Sequence, residues 1–301
     1  LKKHYSEYRN GKVNKYMLFM ARSFELLRDG GVSSFIVPNS WLGIQGAKSL
    51  RKLLLKSGSL EEIEVLHFPA FDEPSVETVI FQLKKNAGAK GIRIRHCRRA
   101  DQLGQGAVTT VSVEDCLRTP GINIPILWNK DSGHVLHAIA AHCMPLRTMS
   151  RHFTPLIALQ AYSRGKGIPP QSAEDVKNHV FHTHLPEDKT CIRYLEGSDL
   201  RRYEIKWSGK YLRFGPWLAE KHPIERFMGP RILIREILGR SPYLLTSAFT
   251  REKAVYNRSV LHIIAGPDAK EDDFMALLGI LNSSLASEII LLQGQKSQRK
   301  L

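Results

Sequence analysis

Several groups of side chains in this sequence carry atoms suited to chemistry, and each group lacks a component. His179, His182, His184 and Cys191 are of zinc-ligating types, but no closely spaced second pair completes a tetrahedral set, so they read as a solvated or phosphate-facing loop and not as a metal centre. Gly165-Lys166-Gly167-Ile168-Pro169-Pro170 would let backbone amides approach a phosphate, yet it lacks the Walker spacing and reads as a mobile basic loop. Asp268, Glu271 and Asp272 are carboxylates without the following lysine of a nuclease site. Cys97, Cys116, Cys143 and Cys191 are widely spaced with no C-x-x-C pair, as expected of reduced thiols and not of a disulfide framework.

The basic residues carry more information. Over 301 residues there are 44 Lys and Arg against 29 Asp and Glu, a net charge of +15 that favours a polyanionic partner, nucleic acid before a membrane surface. From Lys84 to Arg99 seven residues are basic and none is acidic. Arg93, Arg95, Arg98 and Arg99 are dense enough to serve as phosphate contacts, with a solvated face as the alternative. Base-reading candidates are Tyr162, Arg164, Lys166, Arg202, Arg235 and Arg240, because arginine can bond guanine bidentately in the major groove. No apolar run reaches the roughly 18 residues of a membrane span, and the opening residues do not resemble a signal peptide. A cytoplasmic protein without a membrane partner is expected.

These residues need a scaffold. Tyr16, Met20, Phe24 and Leu27 have helical spacing, with Phe19 beside them, and Asp29-Gly30-Gly31 supplies the stop. Val32 to Val37 is a short β-rich run closed by Pro38-Asn39-Ser40, a buried strand opening into a loop at the edge where α/β proteins place ligands. A helix near Ala47 to Lys56, a strand at Ile63 to His67, a turn at Phe71-Asp72-Glu73-Pro74 and a strand at Val76 to Leu83 follow. That order is the back half of a doubly wound sheet. Ile92 and Ile94 alternating with Arg93 and Arg95 predict a basic strand or hairpin leaving the domain, and Asp101 to Gly121 is weakly patterned. Further elements are a helix over Asp131 to His142, short strands between Arg193 and Arg258, and one helix from about Asp272 to Leu292 with Phe274, Leu277, Leu278, Leu281 and Leu285 on a face. Pro120-Gly121 marks the expected boundary between residues 1–121 and 122–301.

Blocks in this order resemble a family. Asn14-Lys15-Tyr16-Met17-Leu18-Phe19, Leu26-Leu27-Arg28-Asp29-Gly30-Gly31, Phe35-Ile36-Val37-Pro38-Asn39-Ser40-Trp41-Leu42 and Ala70-Phe71-Asp72-Glu73-Pro74-Ser75-Val76-Glu77-Thr78-Val79-Ile80 are similar to the later motifs of DNA adenine-N6 methyltransferases of the TaqI and Eco57I branch, which includes fused type IIG restriction-modification enzymes. Leu195 to Tyr203, Gly229 to Arg235 and Leu278 to Leu285 are looser matches to the attached target-recognition domain. The resemblance implies an α/β fold: the latter half of a doubly wound, Rossmann-like methyltransferase sheet in residues 1–121, then a mixed α/β target-recognition domain in 122–301.

The resemblance also implies roles. Phe71 matches the ring that stacks on the flipped target adenine, with a turn phenylalanine capping the core as the plainer alternative. Phe19 matches a residue beside the adenine of S-adenosylmethionine, and equally reads as core. Pro38 and Asn39 read equally well as turn residues. The family's Asn/Asp-Pro-Pro-Tyr/Phe loop and Gly-containing donor loop do not occur in this sequence. The expectation is therefore no catalytic residue in this chain, no activity or S-adenosylmethionine binding by it alone, and double-stranded DNA as partner, alongside a separate amino-terminal catalytic half or a nuclease domain. The rival expectation is a DNA-binding specificity module serving a separate catalytic subunit.

Overall fold

A computed structural model describes residues 14–72, 76–119, 121–127, 138–139, 142–144 and 146–293. The chain divides into two compact units, one drawn from the chain up to Ala141 together with residues from Ile289 onward, the other running from His142 to Glu288. Most of the helix expected over Asp131 to His142 lies outside the described residues, as do Glu73, Pro74, Ser75 and Pro120.

In the first unit, helix α1 (Lys15–Leu26) buries Met17, Met20, Ala21 and Phe24, one stripe at i, i+3, i+4 and i+7. It stops where Gly30 takes a φ of +73°, and the Gly30 and Lys85 amides close a reciprocal pair with the Lys85 and Gly31 carbonyls at 2.9 and 3.0 Å. Strand β1 (Val32–Pro38) leads through a short 3-10 turn into α2 (Lys48–Lys56), then β2 (Leu60–Leu66), β3 (Thr78–Lys84), β4 (Gly91–Cys97), β5 (Val108–Ser112) and α3 (Val113–Arg118). The sheet order is β1-β3-β2-β4-β5. Strand β3 runs antiparallel to both β1 and β2, so it lies wedged between two strands of common direction, and β4 pairs parallel with β2. The core forms where Trp41 meets Phe81 edge-on at 5.3 Å, with Ile63, Val65, Val79, Ile92 and Ile94 around them.

Two expectations change here. The basic strand does not leave the sheet: Ile92 and Ile94 are buried in the core while Arg93 projects outward. Pro120-Gly121 is not where this unit ends, for Ile122, Ile124 and Ile126 are buried in its core and the Ile124 amide donates to Leu42 O at 2.9 Å. Arg51, fully buried on α2, fixes that segment by donating to the carbonyls of Gly121, Ile122, Trp41 and Ile44. Desolvation holds its guanidinium down at about 10.

The second unit contains β6 (Phe153–Ile157), α4 (Ala173–Asn178), β7 (His182–Thr183), β8 (Cys191–Leu195), β9 (Leu200–Arg201), β10 (Glu204–Ile205), β11 (Tyr211–Arg213), β12 (Arg231–Arg235), β13 (Ser247–Thr250), β14 (Val255–Tyr256), β15 (Val260–Ala265), α5 (Glu271–Leu281) and the first half of α6 (Ser284–Gln293), up to Glu288. Its main sheets run β14-β8-β11-β7 and β13-β12-β15-β6. Arg231 is wholly buried, bonded to the carbonyls of Gly229, Glu252 and Ala254 and to the Tyr256 hydroxyl. The expected single helix from Asp272 to Leu292 is two, bent by 58°. Asn282 breaks it: the side chain is buried and bonds both backbone groups of Ser247, while Ser283 Oγ accepts the Ala286 amide at the start of α6. Phe274, Leu277 and Leu278 therefore serve the core and Leu285, past the break, is exposed. Among the described residues no single helix is long and apolar enough to cross a membrane.

Candidate nucleic-acid interface

Strands β1 and β2 of the first unit open at the same edge. At the end of β1, the Asn39 amide donates to Glu77 O at 2.9 Å and its side-chain nitrogen to Glu77 Oε2 at 2.8 Å, so Asn39, buried, ties the exit of β1 to the entry of β3. At the end of β2, His67 and His96 stack at 5.1 Å. His96 Nε2–H donates to Ile126 O at 2.9 Å, which leaves His96 Nδ1 to accept from His67 Nε2–H at 2.8 Å. Burial, with His96 and Arg98 alongside, holds His67 below the ordinary histidine range. Sequence reasoning missed this pair because it depends on the parallel pairing of β2 with β4, which is invisible before the fold is known. Phe71, four residues beyond His67, keeps 49% of its surface exposed, so it is not a core cap. Phe19 is 68% exposed and is not core either.

The arginines of β4 are largely spoken for. Arg93 pairs with Glu62 at 2.9 Å, Arg95 with Glu62 at 3.3 Å and with Gly106 O at 3.0 Å, and Arg99 with Asp101 at 2.8 Å. Arg98 is exposed and takes part in no ion pair among the described residues. The acids sit on β2 and beyond Arg99, outside the stretch that looked uniformly basic.

In the second unit the base-reading candidates separate. The Tyr162 ring stacks on Phe181 at 5.5 Å, its hydroxyl accepts the Phe181 amide at 3.0 Å and lies 3.2 Å from His182 Nδ1, and burial pushes it up to about 12. Arg202 lies 3.6 Å over the Tyr243 ring and donates to Asn282 O at 2.9 Å. These two side chains are committed to the unit's own packing. Arg235 is half-buried at the end of β12 beside Gly197, whereas Arg240 is exposed on the turn opposite Tyr243. Arg164 and Lys166 are exposed together on one loop, with Lys166 Nζ 3.9 Å from Glu220.

That loop is not mobile-looking after all. Gln171, buried, closes it: Oε1 accepts the Ser163 amide at 2.8 Å, Nε2 donates to the carbonyls of Ala161 and Trp217 at 2.8 and 2.7 Å, and the backbone bonds Lys166 O and the Gly165 amide. Gly167, at a φ of +89°, lies so close to the Trp217 carbonyl that an added Cβ would collide with it. Of the histidine group, His179 and His184 are exposed, as expected of a solvated loop, but His182 is not. His182 lies in β7, its ring 4.5 Å from Tyr194, and burial pushes it down to about 4. Among the described residues no three His, Cys, Asp or Glu side chains gather to hold a metal ion.

Residues 1–71 match the family model described as Eco57I restriction-modification methylase, and residues 192–301 match the TaqI-like C-terminal specificity domain. A curated relative, the type II methyltransferase M.TthHB8I of Thermus thermophilus, is 34% identical over 89 residues, 30% of this chain and 20% of its own length. In both matched stretches the chain is thus similar to TaqI/Eco57I-like restriction-modification methyltransferases. Two solved structures extend the likeness in fold alone. The type IIL restriction-modification enzyme MmeI, solved with DNA, has a TM-score of 0.55 at 13% identity over 94% of this chain and 40% of its own. A nuclease-deletion mutant of the type ISP enzyme LlaGI, solved with a DNA substrate mimic, has a TM-score of 0.55 at 12% identity over 96% of this chain and 30% of its own. The chain thus spans well under half the length of these relatives, and in a TaqI/Eco57I-like enzyme the block matched at 192–301 is the part described as conferring specificity.

Proposed function

We propose that this chain is part of a DNA adenine-N6 methyltransferase of a type IIG-like restriction-modification system, in which the first unit supplies the target-base side of the catalytic sheet and the second reads the DNA sequence. The observation that carries this reading is the placement of β3 antiparallel between β1 and β2, with Phe71 half-exposed on the loop that joins β2 to β3 at the strands' carboxyl edge. That is where an α/β sheet holds its ligand. A flipped base needs a flat apolar platform there, and stacking of this kind is worth roughly 1–3 kcal/mol.

S-adenosylmethionine would supply the methyl group. Of a donor pocket the described residues fit one wall: the exposed ring of Phe19 can lie against an adenine, and these 301 residues contain neither the Asn/Asp-Pro-Pro-Tyr/Phe loop nor the Gly-containing donor loop. Among the described residues strand β1 pairs only with β3, and on one face it leaves Val32 55% and Ile36 40% exposed. We therefore expect the chain by itself to be inactive, with no S-adenosylmethionine binding measurable by calorimetry; micromolar binding would overturn this. In the whole enzyme, Phe71→Ala should lower adenine methylation of duplex DNA about tenfold or more while Phe71→Trp restores it. Undiminished turnover by Phe71→Ala would remove Phe71 from the site.

A further inference from the structure

Resting on the reading that duplex DNA is the partner of the second unit, we propose that loop 163–171 is a preformed probe in which Ile168 makes an apolar contact with the bases while Arg164 and Lys166 on the same loop are directed to phosphates, and that Gln171 is the positioning residue that holds it out.

Ile168 is 73% exposed, and the two residues after it, Pro169 and Pro170, are exposed as well. A branched aliphatic side chain on a slack loop would fold back to shed water-exposed surface. Here it cannot. The Ile168 amide is spent on Pro216 O at 3.0 Å, Gly167 is backed against the Trp217 carbonyl, and Gln171 makes five hydrogen bonds across the loop's base through its side chain and backbone. The chain then enters α4 through a reciprocal cap, Ser172 Oγ accepting the Asp175 amide and Asp175 Oδ2 accepting the Ser172 amide. The exposed apolar tip is consequently a property of the mount, fixed before any partner arrives.

The surroundings select the partner. Arg164 and Lys166 stand within four residues of the tip on the same loop, and Lys221 and Arg258 flank Glu220, the carboxylate that Lys166 approaches. On the loop itself and around Glu220 cations outnumber acids, with Glu174 and Asp175 lying past the loop in the first turn of α4, and a duplex is a polyanion that also offers apolar edges, the thymine methyl and the base steps, within reach of a cationic flank. A mount that is already rigid spares the ordering that a flexible loop would lose on binding. A single aliphatic contact carries no charge, so its contribution and that of the cations respond differently to salt.

The test uses the 301-residue chain and a labelled pool of short duplexes of randomised sequence, with affinity followed by fluorescence anisotropy over a series of salt concentrations. The wild type should bind with a steep negative salt slope. Ile168→Ser should bind about tenfold more weakly with the slope unchanged, and Ile168→Val should bind as the wild type does. Arg164→Ala with Lys166→Ala should flatten the slope by about two phosphate equivalents. Gln171→Glu keeps the acceptor for Ser163 but loses both donors; it should weaken binding as Ile168→Ser does, and Ile168→Ser added to it should have no further effect. Binding by Ile168→Ser equal to the wild type overturns the proposal, as does a full additional loss in the double variant; the exposed position of Ile168 keeps the first of these decisive even if Gln171→Glu fails to fold. Absence of duplex binding by the wild type itself would instead sink the DNA reading on which the proposal stands.

Discussion

Each unit buries one arginine among backbone carbonyls, Arg51 in the first and Arg231 in the second, and each pairs several others with acids, Arg151, Arg193, Arg251 and Arg258 in the second; the units differ in how they present cations on a strand and on a loop. The first unit, whose sequence looks the more basic, neutralises its strand: Glu62 alone engages Arg93 and Arg95, and Asp101 takes Arg99. The second, whose cations do not form a comparable acid-free run, lifts Arg164 and Lys166 on a braced loop. A run of positive charge in sequence is therefore a poor guide to where a polyanion is gripped. What decides is whether acids from neighbouring strands meet the run, and whether a rigid mount presents it.

The comparison can be broken at its largest effect by removing the buried cations. Arg51→Met and Arg231→Met each strand several carbonyls, and we expect a loss of about 3–5 kcal/mol confined to the unit concerned. Hydrogen exchange resolved by unit checks this; equal deprotection of both units by either variant would show that the arginines are not local fasteners. Next comes acid. His262 is buried against Phe227 and Tyr256 with no hydrogen-bond partner for either ring nitrogen among the described residues, and burial, reinforced by Arg231, pushes it down to about 4. Because the folded value lies below the ordinary 6.5, the unfolded chain binds the proton first. Stability of the second unit is then complete above about pH 6.5 and falls by about 3 kcal/mol as the pH drops toward 4. Urea titrations across that range should show the slope, and His262→Phe should flatten it appreciably, with His182 supplying a remaining part. A third variant sharpens the contrast between the basic stretches: Glu62→Gln releases Arg93 and Arg95 and should tighten duplex binding about twofold to fivefold at low salt, an advantage that high salt erases. The smallest effect is at Arg99, whose pair with Asp101 is exposed; Arg99→Ala should shift the thermal midpoint of the first unit by no more than the equivalent of about 0.5 kcal/mol.

Much of this organisation was legible in the sequence because it rests on local rules. The stripe of Met17, Met20 and Phe24, the Gly30-Gly31 stop and the existence of a strand into Pro38 each announce their structure within a few residues, although that strand is largely exposed rather than buried and, among the described residues, pairs antiparallel with β3. The ordered motif blocks led to the family before any geometry. The elements that went unread are governed at a distance. Strand β5 and α3 carry few apolar residues, and the one local signal, Ser112 accepting the amides of Glu114 and Asp115, sits in a stretch that is otherwise weakly patterned. The His67 and His96 pair exists only through parallel strand pairing. Asn282 looks like any polar residue inside a helical period until Ser247 arrives from another strand to occupy its amide. Among the site residues, exposure was the unreadable quantity: Tyr162 and Arg202 are of the right type but turned inward to neighbours, while Gln171, of no obvious interest in the sequence, holds the loop that carries Arg164 and Lys166.

The grip of Arg51 on Gly121 and Ile122 bears on where recognition modules are to be joined when they are exchanged between enzymes of this kind. A graft joined at the Pro-Gly dipeptide would transplant the three buried isoleucines that follow it along with the foreign module, handing the host a scaffold whose own hydrophobic filling has been replaced by a stranger's. A junction placed beyond Leu127 leaves that filling with the sheet it was shaped for, so the hybrid inherits a new reading head on an intact body.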